Sequence, residues 1–167
     1  MRSILTAKDF HKRPWKNGRG STLELLKNPA DSGDDFLFRL SQADLNESGP
    51  FSHFPGIDRI LVVTEGKEIK LNDVKLPLWQ AFSFRGEEDI HAEITSPGKD
   101  FNLMLRRGKM KGSVTIAKGS CQLKADADFF AALTFSPLSL YVVEKERGTF
   151  LNIDSPENFL IIRIDYV

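Results

Sequence analysis

Cysteine is almost absent from this chain of 167 residues, since Cys121 is the only one. A single thiol excludes an internal disulfide and a zinc site built from several cysteines. Long apolar runs are also missing: Thr6, Lys8 and Asp9 interrupt the opening stretch MRSILTAKDF, and no later run approaches the roughly 18–20 apolar residues of a membrane-spanning helix. These absences lead us to expect a cytoplasmic protein without a signal peptide or a membrane segment.

An excess of charge of one sign is lacking as well. The 23 Lys and Arg residues balance the 23 Asp and Glu residues, so no overall field attracts nucleic acid or an anionic membrane. A hydrophobic fraction of 41% is ordinary for a globular protein. We therefore expect a small-molecule partner rather than nucleic acid or membrane, and zero net charge does not oppose a homo-oligomer.

Strand signals dominate the sequence, and no convincing amphipathic helix is present. Short runs rich in Phe, Val, Ile and Leu alternate with clusters of Gly, Pro, Asn and Asp, which predicts an all-β sandwich or barrel. The predicted strands are Thr22–Leu26, Phe36–Gln42, Ile57–Thr64, Glu68–Leu71, Ala81–Phe84, His91–Ile94, Asn102–Arg106, Ser113–Ile116, Phe130–Thr134, Leu138–Glu144, Thr149–Ile153 and Asn158–Ile164.

The segment Met110–Gly119, with Gly and Lys at both ends, lies where a first set of strands ends and a second begins. We place a boundary there, between an N-terminal part of residues 1–110 and a shorter C-terminal part of residues 111–167. No repeat is visible at the level of single residues.

Three stretches carry candidate chemistry, and the first is PWKNGRGSTLE, from Pro14 to Glu24. Its glycines allow a tight loop that presents Lys16 and Asn17 to a ligand. The same residues would also suit an ordinary turn that leads into the strand after it.

The second stretch is GPFSHFPGIDR, a stiff loop with two Phe that runs into a strand. Period two along that strand places Arg59, Leu61 and Val63 on one face, opposite Asp58. A buried arginine needs a carboxylate partner, which either a ligand or an internal acid such as Glu24 would supply.

The third stretch is DFNLMLRRG, in which Asp100, Asn102, Met104 and Arg106 share one face. An amide, a thioether and a guanidinium together suit the wall of a wet cavity. A solvent-facing side of an antiparallel strand would have a similar composition.

Together, these stretches and FLFRLSQADL resemble the HutD/Ves family of bacterial bicupins, over Pro14 to Gly108. They match its PWKNGGG-x-T-x-E, GPFS-x-FPG-x-x-R, DFN-x-M-x-R and aromatic-Arg-x-Ser patterns, although Arg19 stands where a glycine is usual. The resemblance implies a bicupin of two antiparallel cupin-like β-barrels in one compact unit, a link to histidine utilisation or stress regulation, and a small acidic ligand such as N-formylglutamate. It implies no firm enzymatic activity.

Metal binding is not expected. Metal-dependent cupins use an H-x-H pair, a Glu and a distant third His, whereas His11, His53 and His91 are scattered here. Counting back seven residues from Gly66, where the metal-binding motif would have its Glu, gives Arg59. A cation at that position repels a metal and attracts an anion, so we expect neither a metal nor another cofactor.

Our first hypothesis is therefore a protein that binds a small anionic metabolite, with a regulatory role left open. Its ligand-binding residues would be Lys16, Asn17, Phe51, Ser52, Phe54, Arg59, Asn102, Met104 and Arg106. The alternative is a metal-independent hydrolase or isomerase that acts on an acylated amino acid, with Glu24 or His53 as general base near Ser52. A third reading is an oligomeric scaffold whose barrel interior is filled by side chains.

Overall fold

The computed structural model describes residues 1–15 and 18–167, and this part of the chain contains strands and no helix. None of the described segments is therefore a helix that could cross a membrane. The strands are β1 (Arg2–Leu5), β2 (His11–Pro14), β3 (Ser21–Asn28), β4 (Phe38–Leu45), β5 (Gly49–Pro50), β6 (Ile57–Glu65), β7 (Ile69–Leu71), β8 (Val74–Leu76), β9 (Ala81–Arg85), β10 (His91–Glu93), β11 (Gly98–Arg106), β12 (Met110–Lys118), β13 (Cys121–Lys124), β14 (Phe129–Phe135), β15 (Leu138–Glu144), β16 (Phe150–Ile153) and β17 (Asn158–Tyr166).

The chain divides into two compact units. One contains His11–Arg107, and the other combines Met1–Phe10 with Gly108–Val167. The boundary predicted from the sequence puts the first ten residues in the N-terminal part, but strand β1 pairs with β15, so that Arg2 lies opposite Val143. This hydrogen-bonded pairing assigns the start of the chain to the unit formed by its end.

The unit His11–Arg107 consists of two antiparallel sheets. The larger has the strand order β2-β3-β4-β11-β6-β9, and the smaller has the order β5-β10-β7-β8. Residues from both sheets form one apolar core cluster, which includes Leu45, Leu61, Val63, Leu71 and Ala92. Burial of these side chains is the main stabilising contribution available to a pair of sheets.

Strand β11 lies at the centre of the larger sheet, where it pairs with β4 on one side and β6 on the other. Alternation along it separates an apolar face, with Phe101 and Leu103, from a polar face, with Asp100 and Asn102. All four side chains are buried. The polar face therefore requires partners inside the protein or a ligand.

The other unit has a five-stranded antiparallel sheet in the order β1-β15-β14-β17-β12 and a two-stranded sheet, β13-β16. Its core cluster includes Phe130 and Phe159, both fully buried, together with Val143 and Ile153. Alternating apolar side chains on long strands explain this packing.

Each of the twelve strands predicted from the sequence corresponds to a strand in the structure, and the all-β prediction is confirmed. The prediction missed β1, β2, β5, β8 and β13. These are short strands with mostly exposed or half-buried side chains. With two to four residues each, they are too short for an alternation of apolar and polar side chains to identify them in a sequence.

A close approach of two backbones supplies a test of the larger sheet. A Cβ added at Gly98, where β11 begins, would collide with the carbonyl oxygen of Glu65 at the end of β6. Gly98→Ala is therefore expected to destabilise the protein by about 1–3 kcal/mol, because a rigid backbone atom must move. At Gly49 a Cβ meets nothing within 4 Å. Gly49→Ala is the matched control, and equal urea midpoints for the two variants would contradict the packing described here.

Candidate functional site

A cavity of about 700 Å³ opens within the unit His11–Arg107. This volume lies in the range of roughly 300–1,000 Å³ that small-molecule sites occupy. Its walls come from the strands β4, β6 and β11, from the loop around Phe51 and Phe54, and from Trp15 and Thr22 near the start of the unit. Space of this size does not fit a scaffold whose interior is filled by side chains.

Cross-strand register explains how polar side chains meet on the cavity floor. Residues directly opposite each other in an antiparallel sheet point to the same face. One row across β4, β11 and β6 contains Arg39, Met104 and Arg59. The next contains Ser41 beside Asn102, and a third contains Ala43 beside Asp100.

Arg59 is the most enclosed cation of the floor, with 6% of its surface exposed. Its guanidinium donates to Asn102 Oδ1 at 2.9 Å and to the carbonyl oxygen of Ser52 at 3.3 Å. Its central carbon lies 4.7 Å from the ring centroid of Phe84 and 5.4 Å from those of Phe51 and Phe54. The buried Nε–H finds no hydrogen-bond partner among the described residues.

Arg39 is the second cation of the floor, two strands away from Arg59. Because neighbouring strands lie about 4.8 Å apart, the two Cα atoms are separated by about 10 Å, with Met104 between them. Arg39 donates to Met104 Sδ at 3.2 Å, and its guanidinium carbon is 5.4 Å from the Phe54 ring centroid. Its Nε–H, like that of Arg59, is buried without a partner in the described part of the chain.

Asp100 and Asn102 continue the polar floor away from Arg59. Asn102 accepts from Arg59 through Oδ1, and its Nδ2 donates to Asp100 Oδ1 at 3.0 Å. The amide therefore links a cation and a carboxyl group that are not in direct contact within the described residues. No ion pair to Arg59 or Arg39 occurs in that part of the chain.

Burial controls the titration of these groups. Desolvation raises the pKa of Asp100 to about 7, against the opposing attraction of Arg59. Desolvation also lowers the pKa of Arg59 to about 10, while nearby Asp100 partly restores it. The pKa of Arg39 is lowered by burial too, although Glu24 raises it. The site thus holds two cations and an acid that changes charge near neutral pH.

The rim of the cavity carries carboxylates that already have partners. Asp44 Oδ2 accepts from the backbone N–H of Ser21 at 2.8 Å, and Glu47 forms a 2.7 Å ion pair with Arg19. Trp15 Nε1 donates to Thr22 Oγ1 at 3.0 Å. Arg19, which departs from the family pattern, therefore contacts the cavity rim through its ion pair with Glu47.

Six of the residues predicted to bind a ligand line the cavity, namely Phe51, Ser52, Phe54, Arg59, Asn102 and Met104. Lys16 and Asn17 lie outside the described residues. Arg106 needs correction, because it is absent from the cavity wall and donates to the carbonyl oxygens of Phe36, at 3.2 Å, and Asp34, at 3.0 Å. It anchors the segment before β4.

The acid–base set suggested by the sequence is not assembled. His53 is exposed and pairs with Asp89 at 2.8 Å, whereas Glu24 is buried beside Lys27 and Arg13. Glu24 is therefore not the partner of Arg59. Within residues 1–15 and 18–167, no three His, Cys, Asp or Glu side chains are grouped as they would be around a metal ion.

Sequence reasoning missed Arg39, Ser41 and Asp100 as site residues. A signal for the first two existed, since period two along the predicted strand Phe36–Gln42 places Arg39 and Ser41 on one face. What the sequence could not indicate was the register that sets Arg39 opposite Met104. Asp100 was placed on the correct face, but its burial depends on the strands on either side.

A family model and several related sequences match this chain. The HutD family model matches residues 7–149. An uncharacterized 21.2 kDa protein in the hutC 3' region of Pseudomonas putida is 33% identical over 153 residues, covering 86% of this chain and 80% of that protein. Protein Ves of Citrobacter koseri is 34% identical over 119 residues. That match covers 65% of this chain and 62% of the Ves protein, which is less than two thirds of its length.

Solved structures agree with this result. HutD from Pseudomonas fluorescens SBW25 aligns with a TM-score of 0.82 and 26% sequence identity. A conserved protein of unknown function from Pseudomonas aeruginosa PAO1 aligns with a TM-score of 0.84 and 25% identity. Each alignment covers 100% of both chains. Bacterial pirin from Escherichia coli shares the fold alone, with a TM-score of 0.60 and 11% identity over 97% of this chain and 98% of pirin. The shared fold is all-β.

The raised pKa of Asp100 predicts how stability depends on pH. At a pH between 3.8 and about 7, Asp100 is protonated in the folded protein, whereas in the unfolded chain, where its pKa is 3.8, it is ionised. Its contribution to stability is therefore complete at low pH and is lost as the pH rises to about 7. The unfolding free energy of the wild type minus that of Asp100→Asn should fall by up to about 1.4 kcal/mol per pH unit between about pH 5 and 7. Urea unfolding measures it, and a constant difference would refute the shift.

Proposed function

The chain belongs to the HutD family, and we propose that the cavity in its His11–Arg107 unit binds a small carboxylate metabolite through Arg59. The ligand class includes N-formylglutamate and related compounds of histidine breakdown, as the family resemblance implies. We further propose that its two units are cupin-like barrels, which would make the protein a bicupin. One observation carries the binding proposal: a buried guanidinium on a cavity floor has an unpaired Nε–H among the described residues.

Charge supports an anionic ligand. A buried cation without a directly bonded carboxylate is costly, and a ligand carboxylate supplies the missing charge and accepts from the planar guanidinium. Arg39, whose Cα atom lies about 10 Å from that of Arg59 in the same row, adds a second guanidinium. Ligands with two acidic groups therefore fit this floor better than ligands with one.

The remaining walls support a ligand with both apolar and polar parts. Phe51 and Phe54 surround Arg59 with ring faces, and Met104 lies between the two arginines. Asn102 uses one Nδ2 hydrogen for Asp100, so the second hydrogen is left to donate to a ligand carbonyl. Hydrogen-bond donors thus dominate the floor, which favours acids and acyl groups over amines.

A metal-independent hydrolase or isomerase acting on an acylated amino acid is a second candidate function. One observation favours it: Asp100 is a buried acid in the cavity whose pKa of about 7 suits a general base. Incubation with N-formyl-L-glutamate, followed by NMR, distinguishes the two functions. Release of formate or isomerisation would favour the enzyme, and an unchanged compound that protects the protein from unfolding would favour binding.

A panel of small acids tests the binding proposal. N-formyl-L-glutamate and glutarate are expected to raise the melting temperature of the protein, while the neutral diamide of glutarate is not. A ligand at about 100 times its Kd adds about 2.7 kcal/mol of stability. Calorimetric titration then gives the Kd directly. Equal stabilisation by acid and diamide would contradict recognition by a guanidinium.

Substitution of Arg59 tests the main contact. Arg59→Ala is expected to weaken binding of the stabilising acid by about 10–150-fold, because each charged hydrogen bond contributes about 1.5–3 kcal/mol. Arg59→Lys keeps the charge but loses the planar fork, so its loss should be smaller and still measurable. Arg106→Gln is the control, since Arg106 lies outside the cavity wall. If Arg106→Gln weakened binding as much as Arg59→Ala, the proposed contact would be wrong.

A further inference from the structure

The cavity contains an acid that carboxylate binding leaves without a role. Asp100 lines the cavity, is only 3% exposed, and lies two positions before Asn102 on the same face of β11. A second negative charge in a site for anions would normally oppose binding. The position of Asp100 therefore calls for a physical explanation.

The contacts of Asn102 connect Asp100 to the anion site. Arg59 has only N–H donors, so the Oδ1 atom of Asn102 must face Arg59 and the Nδ2 atom must face Asp100. Asp100 Oδ1 accepts this hydrogen bond whether or not the other carboxyl oxygen is protonated. The chain of contacts from Arg59 through Asn102 to Asp100 consequently tolerates both charge states of Asp100.

The charges that face Asp100 decide which state is favoured. From β6, Arg59 attracts the carboxylate, while from β4 the Asp44 carboxylate repels it and the backbone of Ala43 forms a hydrogen bond to it. From β3, the neighbouring residue in the same row is the uncharged Thr22. Burial outweighs the attraction, so the pKa of Asp100 is raised to about 7.

A ligand carboxylate would compete with Asp100 for the charge of Arg59. Once an anion pairs with Arg59, the cation no longer stabilises the Asp100 carboxylate, and a further negative charge lies nearby. Both changes favour the protonated acid. We propose that an anion bound at Arg59 is taken up together with one proton from solvent, which Asp100 then holds. This inference rests on the proposed carboxylate binding.

The sign of the pH dependence follows from this linkage. Where Asp100 is already protonated in the free protein, below about pH 7, binding takes up no proton and affinity is constant. Above that pH, affinity should fall by up to about tenfold per pH unit until the complex itself releases the proton. The acid on the protein therefore makes the site a better anion binder in acidic than in alkaline solution.

Calorimetric titration with glutarate tests the proposal on the full chain. Carboxylic acids ionise near pH 4, so the probe keeps a constant charge between about pH 6 and 9. At about pH 8, titrations in Tris and in HEPES differ in heat in proportion to the protons taken up, and we expect about one proton per glutarate for the wild type. Asp100→Asn should bind with no proton uptake and with an affinity that is independent of pH.

The matched control is Glu47→Gln, which neutralises another carboxylate of the cavity wall that does not act on Asp100 and should retain the proton uptake. If the wild type binds glutarate without taking up a proton, or if Asp100→Asn takes up as many protons as the wild type, the inference is overturned and carboxylate binding stands. If millimolar glutarate and N-formyl-L-glutamate fail to bind at any pH, the proposed function falls, and this inference falls with it.

A measurement on the wild type avoids reliance on the folding of a variant. Carbon-13 NMR of aspartate side-chain carboxyl groups follows protonation directly. Adding glutarate at about pH 8 should move one aspartate resonance of the folded protein to its protonated position. Binding of glutarate without such a change would overturn the inference.

Discussion

The burial of one guanidinium group imposes the main constraint on the His11–Arg107 unit. Arg59 brings a positive charge and five N–H donors into an interior of aromatic rings, where water does not compensate for them. The Asn102 side chain and the Ser52 carbonyl meet part of this requirement, and the rings of Phe51, Phe54 and Phe84 add cation–π contacts. The Nε–H of Arg59 has no partner in the described part of the chain, so the cavity floor presents an unused donor on a positive charge.

Strand β11 makes this arrangement possible because it has a neighbour on each side. Its apolar face, with Phe101 and Leu103, contributes burial, and its polar face supplies Asp100 and Asn102 to the floor. Hydrogen bonds to β4 and β6 hold the polar groups of β11 in position. A site on a central strand is more rigid than a site on loops, and rigidity reduces the entropy lost on binding.

Family membership and the chemistry of the cavity floor are independent observations, and they concern the same part of the chain. The HutD family model covers residues 7–149, which include every residue of the cavity floor. The floor itself combines the buried guanidinium of Arg59, the half-buried guanidinium of Arg39, an amide and an acid with a pKa of about 7. That combination is the basis of the proposal that the site binds an anion in a pH-dependent way.

Side-chain alternation within a strand is a local property, and the sequence by itself determined it. Twelve of the strands were predicted, with Arg59 on the same face as Leu61 and Val63. Asp100 was likewise placed with Asn102 and Met104. Only the tertiary structure decided which strands are neighbours. It set Arg39 opposite Met104, turned Arg106 toward the segment before β4, and paired Arg2 with Val143. These outcomes, like the raised pKa of Asp100, depend on groups far apart in the chain, whose approach no local pattern encodes.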